Sequence, residues 1–160
     1  MSTTTDQPAW GDALVRDIMT TPAVTVRPDM QVKDLVALFR AHRLGGVPVV
    51  DDDENLVGIV TEGDLMELDA EVPLPHYFEL LDSIIYLGSR KKFEERLRKA
   101  AAATVGDLMT QAPLTVGPDD PARSAAALMA AHGFDRVPVE ENGKVVGIVS
   151  RHDIMKILGL

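Results

Sequence analysis

The feature that most constrains this chain is that it repeats itself. A shift of 90 residues carries Asp17, Met19, Thr20, Thr25, Val26, Pro28 and Asp29 onto Asp107, Met109, Thr110, Thr115, Val116, Pro118 and Asp119. The same shift carries His42, Val47, Pro48 and Val49 onto His132, Val137, Pro138 and Val139. The acidic loop Asp51-Asp52-Asp53-Glu54 holds one extra residue, so the shift becomes 89 beyond it. It then pairs Val57-Gly58-Ile59-Val60 with Val146-Gly147-Ile148-Val149, Asp64 with Asp153 and Met66 with Met155. Duplication at this spacing predicts two copies of one supersecondary unit. Neither copy, about 50–60 residues with its flanks, buries enough apolar surface to stand alone, so the two must share a core.

Each copy runs through the same elements. A short β segment (residues 23–26 and 114–116) leads to Pro-Asp and then to a helix with apolar side chains at helical spacing. These are Val32, Leu35, Val36 and Phe39 in the first copy and Ala122, Ala125, Ala126 and Met129 in the second. Asp120 suits the cap of the second helix, with Pro121 as its first residue. Two strands follow, over 47–50 and 56–60 in the first copy, and Asn142-Gly143 supplies a hairpin turn in the second. A last helix opens at Thr61 or Ser150. The unit is β-α-β-β-α, and the fold class is α+β. The organisation expected is a loose N-terminal segment (1–13) from which Trp10 docks on the body, a first repeat (14–68), a helical connector (69–104) and a second repeat (105–160).

In the connector, Tyr77 to Leu87 places bulky residues at i, i+3, i+4 and i+7 with Gly88 as a stop, which predicts a helix. A second helix is predicted over 91–102, with Glu94/Arg98 and Glu95/Lys99 as i, i+4 pairs. Two readings stand: a connector packed on its own chain, or an apolar face that helps pair two subunits.

Composition removes several function classes. The net charge of −9 disfavours nucleic acid and anionic membrane as partners, and aromatics at 4% offer no stacking platform. The absence of cysteine excludes disulfides, thiolate zinc sites and cysteine nucleophiles. No apolar run is long enough to span a bilayer and the N-terminus has no secretory pattern, so the expected compartment is cytoplasmic. No phosphate-cradling Walker loop, serine elbow or zinc-protease motif occurs, so no catalytic or metal residue is assigned and an enzyme is not expected. His42 and His132 end the first helices and suit their C-terminal dipoles.

The chemistry lies in Thr61-x-x-Asp64 and Ser150-x-x-Asp153. One reading is a capping box that ties off the first amides of a helix. The other is a ligand corner, where the carboxylate grips a sugar diol while the hydroxyl and helix start receive phosphate oxygens. Duplication of the pair, and Asp where a capping box prefers Glu or Gln, favour the second. Gly58 and Gly147 would leave the preceding strand bare for a ligand.

The two Val-Pro-Val strands and the two Gly-Ile-Val-Thr/Ser-x-x-Asp turns resemble the CBS domain, here as a tandem pair over about 15–68 and 105–158. The resemblance implies two pseudo-symmetric repeats packed through their sheets. It also implies a non-catalytic module binding AMP, ADP, ATP or S-adenosylmethionine between the repeats, with the aspartate on the ribose and the other repeat's first strand flanking the base. Carried over, the main site combines Thr20, Ala23 and Val24 with Arg136, Val137, Pro138, Ile148, Ser150, Arg151, His152 and Asp153. A second, weaker site combines Val47, Pro48, Ile59, Thr61 and Asp64 with Thr110, Pro113 and Leu114. Arg136 and Arg151 have Gly46 and Glu62 as their first-copy equivalents, so the Asp153 site is expected to take the phosphates, with solvated surface arginines as the plainer alternative. No tightly bound cofactor is expected beyond the adenosyl ligand, with Mg²⁺ left open. The resemblance further implies a homodimer formed through the repeats' helices and a separate, unidentified target protein. The rival reading is a structural or protein-interaction module whose clefts bind nothing.

Overall fold

A computed structural model describes residues 9–71, 76–80, 83–87 and 104–160. The first repeat comprises α1 (Val15–Ile18), α2 (Val32–His42), β1 (Gly46–Val50), β2 (Leu56–Thr61) and α3 (Glu62–Glu71). A hairpin of β3 (His76–Leu80) and β4 (Ser83–Leu87) follows. The second repeat comprises α4 (Val105–Leu108), β5 (Thr110–Gln111), α5 (Ala122–His132), β6 (Arg136–Glu141), β7 (Lys144–Ser150) and α6 (Arg151–Ile157). Apart from β5, which the first repeat matches with only a single bridge at Thr20, the order is the same in both, as the duplication requires.

The opening segments are exchanged. The Val15 amide donates to the Asp120 carbonyl at 2.8 Å and the Arg16 amide to that of Pro118 at 2.9 Å, both in the second repeat. Ninety residues on, the Val105 amide donates to the Met30 carbonyl and the Gly106 amide to that of Pro28, both at 2.8 Å, in the first. Val15 accordingly lies in one core with Val116, Ala125, Met129, Val137, Val139, Val149 and Ile154. Val105 lies in the other with Val26, Leu35, Phe39, Val47, Val49 and Val60. Both valines are fully buried. Each core thus takes one fully buried side chain from the other repeat, with Ile18 and Met19 or Leu108 and Met109 packed beside it, the form in which the shared burial is realised. Trp10 packs on the second repeat's core as expected, and Ala13 is buried, its carbonyl accepting from the Ala122 amide.

Sheets follow from the β-branched runs. In β1–β2, antiparallel, Val47 pairs with Val60 and Pro48 with Ile59; in β6–β7, Val137 pairs with Val149 and Pro138 with Ile148. Each Val-Pro-Val strand keeps an apolar face in the core. The Asn142-Gly143 turn closes β6 on β7 with φ of 53° and 79°, the left-handed pair such a two-residue turn needs.

Three expectations are corrected. The predicted helix at Tyr77–Leu87 is an antiparallel hairpin, with Tyr77 opposite Tyr86, Phe78 opposite Ile85 and Glu79 opposite Ile84. Eight of the eleven positions in that run are bulky and apolar, so helical spacing is easily met, while its aromatic and β-branched residues suit a strand. The β segments expected at 23–26 and 114–116 reduce to single parallel bridges, Val26 to Val49 and Val116 to Val139. Prolines at 22, 28, 113 and 118 lack the donors a longer ladder would use. Pro121 is the N-cap of α5 and not its first residue, and Asp120 accepts from the Gly117 amide at 2.7 Å. The predicted helix over 91–102 and the segment 1–8 lie outside the described residues.

Candidate functional site

Both hydroxyl–carboxylate turns form where a buried strand ends and a helix begins. At the second, Asp153 Oδ2 accepts from the Ser150 amide at 2.7 Å and from its hydroxyl at 2.8 Å. The Asp153 amide donates back to Ser150 Oγ at 3.3 Å, which completes a capping box. At the first, Asp64 Oδ2 accepts from the Thr61 amide at 2.7 Å and from its hydroxyl at 3.2 Å. The capping reading is therefore realised in full at Ser150, while at Thr61 only the bonds to the carboxylate are formed among the described residues. It does not use up the carboxylates. Every hydrogen bond recorded for either among the described residues falls on Oδ2, and both side chains are half-buried. The cap fixes each carboxylate and leaves Oδ1 able to accept from a hydroxyl of a ligand.

The exchanged segments bring the other repeat to each turn. Thr20 and Ile148 exchange both backbone hydrogen bonds, at 2.9 and 3.1 Å, so the segment leading to Ala23 and Val24 runs beside the strand that ends at Ser150. In mirror fashion Thr110 pairs with Ile59, and Pro113 and Leu114 follow it. Val24 and Leu114, at matched positions, are 41% and 44% exposed, apolar side chains left on the surface near the turns. At each corner, then, the opening segment of the other repeat is hydrogen-bonded to the strand that leads into the turn.

Four of the expected site residues are scaffold instead. Val47, Pro48, Val137 and Pro138 are fully buried, and the carbonyls of Pro48 and Pro138 accept from the amides of Val26 and Val116. Gly58 and Gly147 also serve packing and not a ligand. A β-carbon on Gly147 would fall 2.7 Å from Met19 Sδ and 2.9 Å from the Thr20 carbonyl oxygen. One on Gly58 would fall 2.5 Å from Met109 Sδ and 3.0 Å from the Thr110 carbonyl oxygen. The strand is bare because the exchanged segment lies against it.

The arginines also differ from expectation. Arg136 stands opposite Ser150 in the ladder, but its side chain crosses to the first repeat. A β-carbon on Gly45 would lie 2.5 Å from Arg136 Cζ, and one on Gly46 would lie 2.9 Å from its Cδ and 3.1 Å from Thr61 Cγ2. The guanidinium therefore occupies the space over Gly45, beside the Thr61 turn. Arg151 is paired with Asp135 at 2.8 Å, with both side chains well exposed, and His152 is exposed next to it. Sequence reasoning noted Gly46 as the counterpart of Arg136 but missed Gly45 as a seat. The signal was the glycine pair aligned with Asp135-Arg136.

A cavity of about 650 Å³ opens elsewhere, beside the start of α2, with Arg27, Gln31, Lys33 and Asp34 in its lining. It includes none of the expected site residues.

A model of the CBS domain matches residues 15–71 and again residues 105–160. The chain belongs to the CBS domain family. As a tandem CBS pair it is 33% identical over 153 residues to protein MJ1426 of Methanocaldococcus jannaschii, covering 91% of this chain and 90% of that one. It is 32% identical over 136 residues to the chloroplastic CBS domain-containing protein CBSX2 of Arabidopsis thaliana. That match takes in 82% of this chain but 56% of the plant protein, so the CBS pair spans little more than half of that relative's length. The crystal structure of CBSX2 in complex with AMP superposes with a TM-score of 0.68 at 30% identity, covering 91% of this chain and 95% of that one. Among the described residues, no helix is long and apolar enough to cross a membrane.

Proposed function

We propose that this CBS pair is a regulatory module that binds an adenosyl ligand (AMP, ADP, ATP or S-adenosylmethionine) between its repeats and signals to a separate partner protein. The observation that carries the reading is the state of Asp64 and Asp153. Each is held by its own helix start through Oδ2, with Oδ1 available and a segment of the other repeat alongside. A pre-positioned carboxylate oxygen suits a ribose diol, and a nearby helix start suits a phosphate. The AMP complex of CBSX2 supports the choice of ligand class. Binding across two repeats gives a ligand different affinities for different repeat arrangements, which is what a sensor requires. Regulation and not catalysis is the proposed role, and the cytoplasm the proposed compartment. Whether Mg²⁺ accompanies a triphosphate is part of the same question.

Calorimetric titration with AMP, ADP, ATP and S-adenosylmethionine tests this. Saturable binding of at least one, weakened by Asp64→Ala or Asp153→Ala, is the expected result. Silence from all four would leave the rival, a ligand-free scaffold.

Homodimerisation through the helices belongs to the same proposal. Met66 on α3 and Met155 on α6 occupy equivalent positions and are 67% and 40% exposed, an apolar pair on the helical side. Sedimentation of the intact chain against Met66→Glu/Met155→Glu tests it, with dimer giving way to monomer.

A further inference from the structure

We infer that Lys144 is a clasp between the two hairpin tips, holding the repeats in one arrangement and so keeping the clefts in their binding shape. The part that concerns the clefts rests on the adenosyl-ligand reading. Lys144 and Asn55 are equivalent under the 89-residue shift, and they meet in an antiparallel bridge. Equivalent residues that meet lie on the pseudo-twofold axis, where two identical side chains would set like against like. Here the pair has diverged into donor and acceptor. The Lys144 ammonium donates to Asn55 Oδ1 at 2.9 Å and to the Asp53 carbonyl, while the Leu56 amide donates to the Gly143 carbonyl at 3.1 Å.

The acidic loop is shaped to present those acceptors. Asp51 Oδ1 accepts from the amides of Asp53 and Asn55, each at 2.9 Å, and Asp51 Oδ2 from the Asn55 side-chain amide at 3.3 Å. With its Nδ2 engaged in this way, Asn55 turns Oδ1 to Lys144. The hydrogen bond from the Asn55 backbone, above all, holds the Asp51 carboxyl below its ordinary 3.8, and the Lys144 ammonium adds to the effect. The one residue that this loop has beyond its counterpart lengthens the tip that Lys144 engages.

Clasp and clefts are opposite ends of the same strands. β2 runs from Leu56 at the clasp to Thr61 at one corner, and β7 from Lys144 to Ser150 at the other, each about 20 Å long. The two strands do not pair with each other; the exchanged segments tie them near their middles, through Thr110–Ile59 and Thr20–Ile148. A second joint at the tips fixes the angle between them. The valines of the exchanged segments are fully buried, whereas the bonds of Lys144 are exposed, so the tips part more readily than the openings do. A change in that angle moves Asp64 and Asp153 relative to the segments of the other repeat beside them.

The chain has no cysteine, so spin labels attach only where they are placed. Labels on Asp52→Cys and Glu141→Cys, exposed positions on the two tips, report the tip separation by electron spin resonance, with unlabelled chain added so that only distances within one molecule are read. One narrow separation is expected in the otherwise unmodified chain, and a longer or broader one with Lys144→Met or with Asn55→Ala, which leaves the charge unchanged. The double variant should go no further than Lys144→Met. An unchanged separation in Lys144→Met would overturn the clasp. Calorimetry on the same substitutions in the unlabelled chain, with AMP or, if AMP is silent, S-adenosylmethionine, should show binding weakened about 3- to 10-fold, as when the competent arrangement becomes a minor one. Parted tips with undiminished affinity would overturn the link to the clefts while the adenosyl reading stood. An unmodified chain that binds neither compound would remove that reading and the link with it, and the tip separation would still decide the clasp.

Discussion

The amide of Val15, at the opening of the first repeat, donates to the carbonyl of Asp120 in the second, 2.8 Å away. Val105 makes the equivalent bond to Met30, so each repeat is closed by a residue that belongs to the other. Val15→Ala and Val105→Ala should each cost about 2 kcal/mol, the order expected for a fully buried valine. Urea unfolding should remain a single transition in both variants. Two separated transitions would mean that the repeats are not coupled through these side chains.

Gly147→Ala places a methyl group 2.7 Å from Met19 Sδ and 2.9 Å from the Thr20 carbonyl. The sulfur can move; the carbonyl is ladder backbone bonded to Ile148. A loss of about 1–3 kcal/mol is expected from such overpacking. Adding Met19→Ala should recover little of it in thermal denaturation, because Thr20 is unchanged.

Ser150→Ala removes the hydroxyl that donates to Asp153 and accepts its amide, but keeps the carboxylate. The expected stability loss is about 1 kcal/mol, typical of an N-cap. If Asp153 also holds a diol, Asp153→Ala should weaken adenosine binding beyond what Ser150→Ala does. Equal effects of the two on binding would confine Asp153 to its helix.

Asp107 caps the exchanged helix α4. Hydrogen bonds from the Thr104 amide and then its hydroxyl hold its carboxyl below the ordinary value of 3.8. A carboxyl depressed in the fold contributes stability that is complete above its unfolded value and lost as pH falls through its folded value. The urea midpoint should therefore decline below about pH 4, and Asp107→Asn should flatten that decline. An identical acid limb in both proteins would show that the cap adds nothing.

Much of this architecture could be read directly from the residues. The 90-residue shift gave the order of elements, and the Val-Pro-Val and Gly-Ile-Val runs gave the paired strands. Where reading failed, a side chain answered to something distant in sequence. Gly58 and Gly147 looked like room for a ligand because nothing local shows that Met109 and Met19 fill it. Arg136 was grouped with its ladder neighbour Ser150, since a long flexible side chain declares where it starts and not where it ends. Tyr77 to Leu87 is apolar or aromatic at eight of eleven places, so period alone could not separate strand from helix. The hydroxyl–carboxylate turns posed a choice between cap and ligand corner that the geometry does not make exclusive, since the recorded bonds to each carboxylate fall on Oδ2 alone.

The reciprocal closure has a consequence for synthesis. While the chain is being made, the first repeat can assemble its strands but lacks Val105 until the ribosome has read well past it. Its apolar interior stays unsealed throughout the translation of the intervening segment, a window in which a neighbouring nascent chain could supply the missing valine.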